Sequence, residues 1–558
     1  MGCEDVDLSS ETVSFVDLGA PTAERLPQER ARPNILLIVL DDLGFNDLGY
    51  FGSEIETPNI DALARDGLVL TSFHTAPTCS PTRSMLLTGT DSHVVGLGTM
   101  AEVIRPGETP KPGYEGYLNS NAATLPELLR DSGYNTYMTG KWHLGLTRET
   151  SASARGFDKS FILARGGAGA FHNQLPMFVG QPTLYRENGE QVDILPKDFY
   201  STRFYTEKMI ELIDGGRGNG KPFFAYLAHT SPHWPLQAPQ ESIAKYLGKY
   251  DQGYDALNRQ RLSRLIELGL FERGTEPFPR MLGEASWEEL SPEEQRYESK
   301  KMAIYAAMVH DVDVYVGKII GHLKDIGEYE NTLIFFMSDN GPEGANPLGF
   351  PGMYEFLEEC CDNSYDNIGN PDSYVFYGAN WAQAGNTPLR SLKAHTSQGG
   401  IRAPAFLHYP KGYHGGRVSD AVVTVKDVMP TILEIAGIVH PGPGLYRGRD
   451  VVAMQGRSME PLLNGSRDSI REPGDYMGWE LFGRRGIRQG DWKLIYVTGA
   501  LNGPSRVPIA VPDTWQLYNL AEDPTERNDL ARERPGKLTE MLALWKDYAT
   551  RNGVIVSP

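Results

Sequence analysis

Cysteine is scarce in this chain: four residues among 558, at Cys3, Cys79 and the neighbours Cys360 and Cys361. So few thiols exclude a multi-bridge disulfide framework, and they point to no particular redox compartment. Long apolar runs are missing as well. The best, such as Ile35 to Leu40, stop far short of the roughly 20 residues a membrane-crossing helix needs, so no transmembrane segment is expected. Positive charge is in deficit. With 53 Lys and Arg against 72 Asp and Glu, the formal charge of −19 disfavours nucleic acid as a partner, because phosphate binding shows as a basic excess. An anionic ligand would need a local basic pocket instead. Internal repeats and long low-complexity tracts are also absent.

What is present reads as an enzyme. Hydrophobic content of 40% beside 22% charged residues fits a globular chain, and 60 Gly with 38 Pro implies many loops rather than disorder. At 61.8 kDa the chain exceeds one ordinary core, so a large α/β domain with a smaller companion is expected.

Several continuous apolar runs end at chemistry. Asn34 to Leu40 stops at Asp41-Asp42-Leu43-Gly44, and Thr332 to Ser338 stops at Asp339-Asn340-Gly341. Both read as buried, parallel-type strands. Pro222 to Ala228 leads into His229-Thr230-Ser231-Pro232-His233, and Tyr134 to Thr139 into Gly140-Lys141-Trp142-His143. Between them lie helical stretches at Ile60 to Asp66, Leu125 to Asp131 and Met302 to Ile326. Such alternation predicts an α/β fold with a large, mostly parallel sheet sandwiched by helices. Ligands bind such sheets beyond the carboxyl ends of the strands, where these acids and bases fall. After about residue 470, short alternating segments and a helix from about Lys537 to Thr550 predict a smaller antiparallel sheet plus helix. The organisation expected is a polar tail over 1–33, a catalytic domain over 34–470 and a C-terminal subdomain over 471–558.

Asp41, Asp42, Asp339 and Asn340 offer only oxygen, a hard donor set that selects Ca²⁺ or Mg²⁺ over Zn²⁺. Arg83 follows Cys79 by four residues, and Ser84 to Leu87 looks like the opening of a helix whose turn would stack the two side chains. With Lys141 and Lys393, Arg83 would make three cations for an anionic ester. His143 and His233 are the candidate proton carriers, because histidine titrates nearest neutral pH. His229 ranks below His233.

The stretch Cys79-Ser80-Pro81-Thr82-Arg83 resembles the signature by which type I sulfatases of the alkaline phosphatase superfamily mark a cysteine for oxidation to formylglycine. The resemblance, closest to bacterial arylsulfatases, runs from about Asn34 past Leu530 and takes in Gly399-Gly400-Ile401-Arg402-Ala403-Pro404 and the segment Trp515 to Leu530. It implies sulfate monoester hydrolysis by a hydrated formylglycine at position 79. One divalent cation, Ca²⁺ before Mg²⁺, would sit on Asp41, Asp42, Asp339 and Asn340, with residue 79 beside it. Arg83 and Lys141 would hold nucleophile and sulfate, Lys393 would bind sulfate, and Asp339 would assist attack. His233 would protonate the leaving oxygen, and His143 would later deprotonate the remaining hydroxyl. The implied partners are a sulfate ester and a formylglycine-generating maturation enzyme.

The competing readings are a formylglycine-dependent phosphonate or phosphate ester hydrolase, and a non-catalytic binder of sulfated glycans. Two loops are candidate substrate walls, Gly166 to His172 and Asp362 to Gln383. Gly2-Cys3 resembles the tail of a bacterial lipobox, which suggests a lipid-anchored protein of the cell envelope or periplasm, with a cytoplasmic protein as the alternative.

Overall fold

The computed structural model describes residues 32–104, 111–280, 284–498 and 514–555. Cys3 and nearly all of the expected polar tail lie outside the described residues. A ten-stranded sheet runs in the order Arg417–Ser419, Leu68–Leu70, Ala405–His408, Thr332–Ser338, Asn34–Leu40, Phe223–Ala228, Asn135–Lys141, Lys159–Leu163, Tyr185–Glu187, Glu190–Val192. The five strands from Thr332–Ser338 to Lys159–Leu163 pair in parallel, and antiparallel pairings enter only toward the two edges.

The apolar runs are continuous because both faces are covered. Along Asn34–Leu40, Ile35, Leu37 and Val39 enter one core, while Leu36, Ile38 and Leu40 enter the other. The first core includes Met85 to Leu87 of the helix Cys79–Thr88; the second includes the long helix Pro292–Asp325. Register aligns the strand ends at one edge. Leu40 stands opposite Ser338, and Val39 opposite Ala228, so Asp41, Asp339 and His229 all leave the sheet there.

Helix Leu125–Asp131 falls where periodicity places it, and the helix expected at 60–66 is Pro58–Arg65. The long helix begins ten residues before the expected Met302. Ser291 caps it in a reciprocal box with Glu294, and Pro292 occupies its first turn. Its first turns face solvent, so no apolar period betrays them. Lys141 ends a strand instead of following it, because pairing with the neighbouring strand continues to Leu163.

Strands Met477–Leu481, Arg484–Gln489, Trp492–Val497 and Thr514–Asn519 form a separate antiparallel sheet against the helix Pro535–Asn552. Bonds tie it to the larger sheet's layer: Trp479 Nε1 donates to the Thr75 carbonyl at 2.8 Å, and Tyr548 Oη to Asp91 at 2.9 Å. Cys360 and Cys361 are joined in a disulfide, so Cys79 is the free cysteine among the described residues. No helix among these residues is long and apolar enough to cross a membrane.

Candidate active site

Cys79 is the first residue of its helix, which thus opens five residues before the expected Ser84. Pro81 is tolerated in the first turn because its missing N–H has no intrahelical partner there. The free N–H groups and dipole of that end favour negative charge beside residue 79. Burial pushes the Cys79 thiol well up, against the pull of Lys141 and Lys393. A thiolate nucleophile is therefore disfavoured.

Three carboxylates surround the thiol. Cys79 Sγ lies 3.5 Å from Asp41 Oδ1 and 3.9 Å from Asp42 Oδ1, and one ligand atom from each of Asp41, Asp42, Asp339 and Cys79 lies within 4.8 Å of the others. All four side chains are buried. In an extended chain, successive side chains point to opposite faces. Asp42 has φ +67°, a left-handed conformation uncommon outside glycine that asparagine and aspartate tolerate best, so the backbone turns and both carboxylates reach the thiol.

Each acid has its own cation. Lys141 Nζ lies 2.8 and 2.7 Å from the two oxygens of Asp41. Lys393 Nζ is 2.9 Å from Asp42, and Arg83 reaches Asp339 Oδ2 through Nε at 2.9 Å and a terminal nitrogen at 2.7 Å. Burial raises the Asp42 carboxyl, but Lys393, His233 and Lys141 pull it to about 2. Arg83 also donates to the Lys141 carbonyl at 3.0 Å. In this structure, then, Arg83 and Lys141 hold carboxylates and each other.

The donor set fits a hard cation. Asn340 Oδ1 is buried without a hydrogen-bond partner, while its Nδ2 donates to Asp42 Oδ1 at 2.6 Å. An orphaned carbonyl oxygen beside three carboxylates is what a Ca²⁺-type ion would satisfy. A second group, Asp42, His233 and Glu343, also converges. There Lys393 bridges the acids, lying 2.9 Å from Asp42 and 3.1 Å from Glu343, and the ammonium takes the place a second ion would need.

His143 and His233 both line the cleft above Cys79. His143 Nε2 faces Glu102 Oε2 at 3.1 Å, and its buried Nδ1 has no partner. Burial pushes this imidazole down from its ordinary value, and Glu102 opposes the shift. His233 Nδ1 is 2.5 Å from the Trp234 carbonyl and Nε2 is 3.4 Å from Asp42 Oδ2. Burial takes His233 to about 4, against the pull of Asp42. His229 is fully buried, is held down to about 3 by that burial, and is not among the cleft's lining residues.

Of the two candidate walls, the first contributes. Gly166 lines the cleft, and a Cβ there would stand 2.7 Å from His143 Cε1. The stretch 362–383 supplies no lining residue; Tyr374 packs behind Trp234 instead. Gly399 has a structural reason to be glycine: a Cβ would meet the Ser391 carbonyl oxygen at 2.1 Å, so the chain passes directly against the loop that carries Lys393.

Sequence reasoning missed Glu102, Glu343 and the apolar lining from Met100, Phe350 and Phe482. Glu343 carried a usable signal, standing three residues after Asn340. Glu102 and Phe482 carried none.

The Sulfatase family model matches residues 33–438, and a model described as N-sulphoglucosamine sulphohydrolase, C-terminal, matches 393–546. An uncharacterised sulfatase of Schizosaccharomyces pombe is 44% identical over 95% of this chain and 96% of its own. An arylsulfatase of Klebsiella aerogenes is 38% identical over 78% of this chain and 92% of its own. Among solved structures, Ps i-CgsB in complex with k-i-k-neocarrahexaose superposes with a TM-score of 0.64 at 26% identity, covering 93% of both chains.

Proposed function

Because this chain belongs to the sulfatase family, we propose that it cleaves its sulfate ester with a formylglycine made from Cys79, beside one Ca²⁺-type ion. The observation that carries this reading is the buried Cys79 at a helix N-terminus, set among three carboxylates that each have a cation. A thiol so placed is a poor nucleophile but a well-situated precursor.

As its hydrate, formylglycine supplies one hydroxyl for attack and a second whose deprotonation releases the product. A hard cation held by Asp41, Asp42, Asp339 and Asn340 would supply positive charge for the sulfate oxygens. Mg²⁺ is the alternative ion. The remaining work falls to side chains. Lys141, Lys393 and Arg83 offset the carboxylates, so that an anionic ester can enter a site poor in net positive charge. Lys393 binds the sulfate, and Asp339 assists the attack.

His233 acts as the acid in its doubly protonated form, which the Asp42 carboxylate 3.4 Å from Nε2 favours: Nδ1–H stays on the Trp234 carbonyl while Nε2 gives its proton to the departing oxygen. His143 takes the proton that frees the product. Its Nε2–H points at Glu102, which leaves the Nδ1 lone pair as the base. Glu102 orients that ring.

A maturation enzyme with its own oxidant would convert Cys79. Export with lipidation at Cys3 is proposed from Gly2-Cys3 and the polar stretch after it. An apolar leader upstream in the full reading frame supports that, and a frame without one overturns it. The competing reading is a formylglycine-dependent phosphonate or phosphate ester hydrolase on the same site. The deciding experiment is turnover of nitrophenyl sulfate beside the matching phosphate and phenylphosphonate esters. Preference for either phosphorus ester would overturn the assignment.

A further inference from the structure

The cleft above Cys79 is lined for much of its surface by apolar side chains. One of its walls is a row of aromatic rings. The Phe350 and Phe178 centroids are 4.7 Å apart, Phe178 and Trp234 5.8 Å, and Trp234 and His233 4.8 Å. The inner end of the row is thus the histidine assigned to protonate the leaving oxygen. Across the cleft, Met100 and Val103 pack on Ala394 and Phe482. Phe482 sits at the tip of the hairpin between Met477–Leu481 and Arg484–Gln489, with φ +57°. Met100, Val103, Met177, Phe178 and Phe350 are only half-buried while lining the cleft. A hydrophobic occupant would therefore cover apolar surface.

The polar side of the cleft argues the same way. Its lining cations are Lys141 and Lys393, each already within 2.9 Å of a carboxylate. The other charged lining residues that keep one sign are Glu102 and Glu343. A second sulfate, or a sugar carboxylate, would meet two like charges and no uncommitted cation among the described residues. Sugar hydroxyls fare little better. Beyond His143 and His233, which the chemistry uses, Thr78 and the Trp234 indole are the neutral polar side chains in the described lining, so most hydroxyls of a saccharide would lose water without gaining a partner.

Resting on the sulfatase reading above, we propose that the substrate is a monosulfate of an uncharged hydrophobic alcohol, aryl or alkyl, and not a sulfated saccharide. The sulfate sits on the Lys141 and Lys393 side, and the carbon skeleton lies along Trp234, Phe178 and Phe350. Phe350, Phe178 and Phe482 are then specificity-determining residues for the leaving group.

The test uses leaving groups of matched chemistry on the matured, metal-loaded full chain. Hexyl sulfate and glucose 6-sulfate both release a primary alkoxide, so their difference reports the pocket and not the bond. We expect kcat/KM to rise about fourfold per methylene from ethyl through butyl to hexyl sulfate. Hexyl sulfate should exceed glucose 6-sulfate by about tenfold or more. Phe350→Asn, at a half-buried loop position, should flatten the chain-length series; Met177→Gln gives the same reading by a second route. A flat series, or glucose 6-sulfate at or above hexyl sulfate, overturns it and leaves the sulfatase reading intact. Failure to turn over any sulfate, nitrophenyl sulfate included, overturns both.

Discussion

Glu102 Oε2 stands 3.1 Å from Nε2 of His143, whose buried Nδ1 has no hydrogen-bond partner. A carboxylate on one ring nitrogen holds the proton there and leaves the other nitrogen basic. Glu102→Gln should therefore slow turnover by about 10- to 100-fold, the range seen for carboxylates that orient a metal-bound histidine. The pH profile carries the sign. Glu102 opposes the downward push of burial on His143, so its removal should move the acidic limb of kcat to lower pH. An unmoved limb would show that Glu102 acts only in packing.

His143→Ala should arrest the enzyme after the leaving group has gone. Rapid mixing should show a burst of phenol equal to the active sites, followed by turnover lowered about 10²–10⁴-fold. Loss of the burst itself would place His143 before bond cleavage.

His233→Ala should behave differently, because a good leaving group needs little help from an acid. Nitrophenyl sulfate should be slowed far less than an alkyl sulfate, and the dependence of rate on leaving-group pKa should steepen. Equal losses for both, in a variant that still folds and binds metal, would shift suspicion to another acid; His229, deeply buried and off the cleft, is then a poor substitute.

Asp339→Asn should abolish activity and lower the bound metal, measured by elemental analysis at one ion per wild-type chain. It also removes the closer of the two buried ion pairs of Arg83, leaving only Asp41 Oδ1 at 3.8 Å, which should cost up to about 3 kcal/mol of stability. Chelation should silence wild type reversibly, with Ca²⁺ restoring activity better than Zn²⁺. Full activity in a demonstrably metal-free preparation contradicts the assignment.

Stability should vary with pH through a site remote from the chemistry. Burial pushes His93 down, but Asp91 at 2.8 Å and Glu480 at 3.3 Å pull it up to about 9. A raised folded-state value means the contribution is complete below the ordinary histidine value of about 6.5 and is lost as pH climbs through about 9. Asp91, drawn down to about 2, loses its share only in strong acid. Denaturant unfolding should thus show a decline between about pH 6.5 and 9, of order 2–4 kcal/mol. His93→Gln should be less stable at pH 6 and should lack most of that decline.

The strand ends were legible because buried parallel strands read as unbroken apolar runs, and a pair of acids stands out where such a run stops. Asp41, Asp42, Asp339 and Asn340 were found that way, and the register of Leu40 with Ser338 is why they meet. Lys393 and His143 needed the family resemblance, since a loop lysine or histidine has no period. Glu102 lies in a short 3-10 turn, and Phe482 reaches the cleft from a hairpin nearly four hundred residues beyond it. Tertiary approach alone brings those two to the site, and no local pattern encodes it.

Peptide mass spectrometry across residue 79, on protein co-produced with a maturation enzyme and assayed in parallel, tests the central claim most directly. An aldehyde should appear at position 79 in proportion to sulfatase activity, and Cys79→Ala should have no activity. Full activity in protein that carries only the thiol would contradict it.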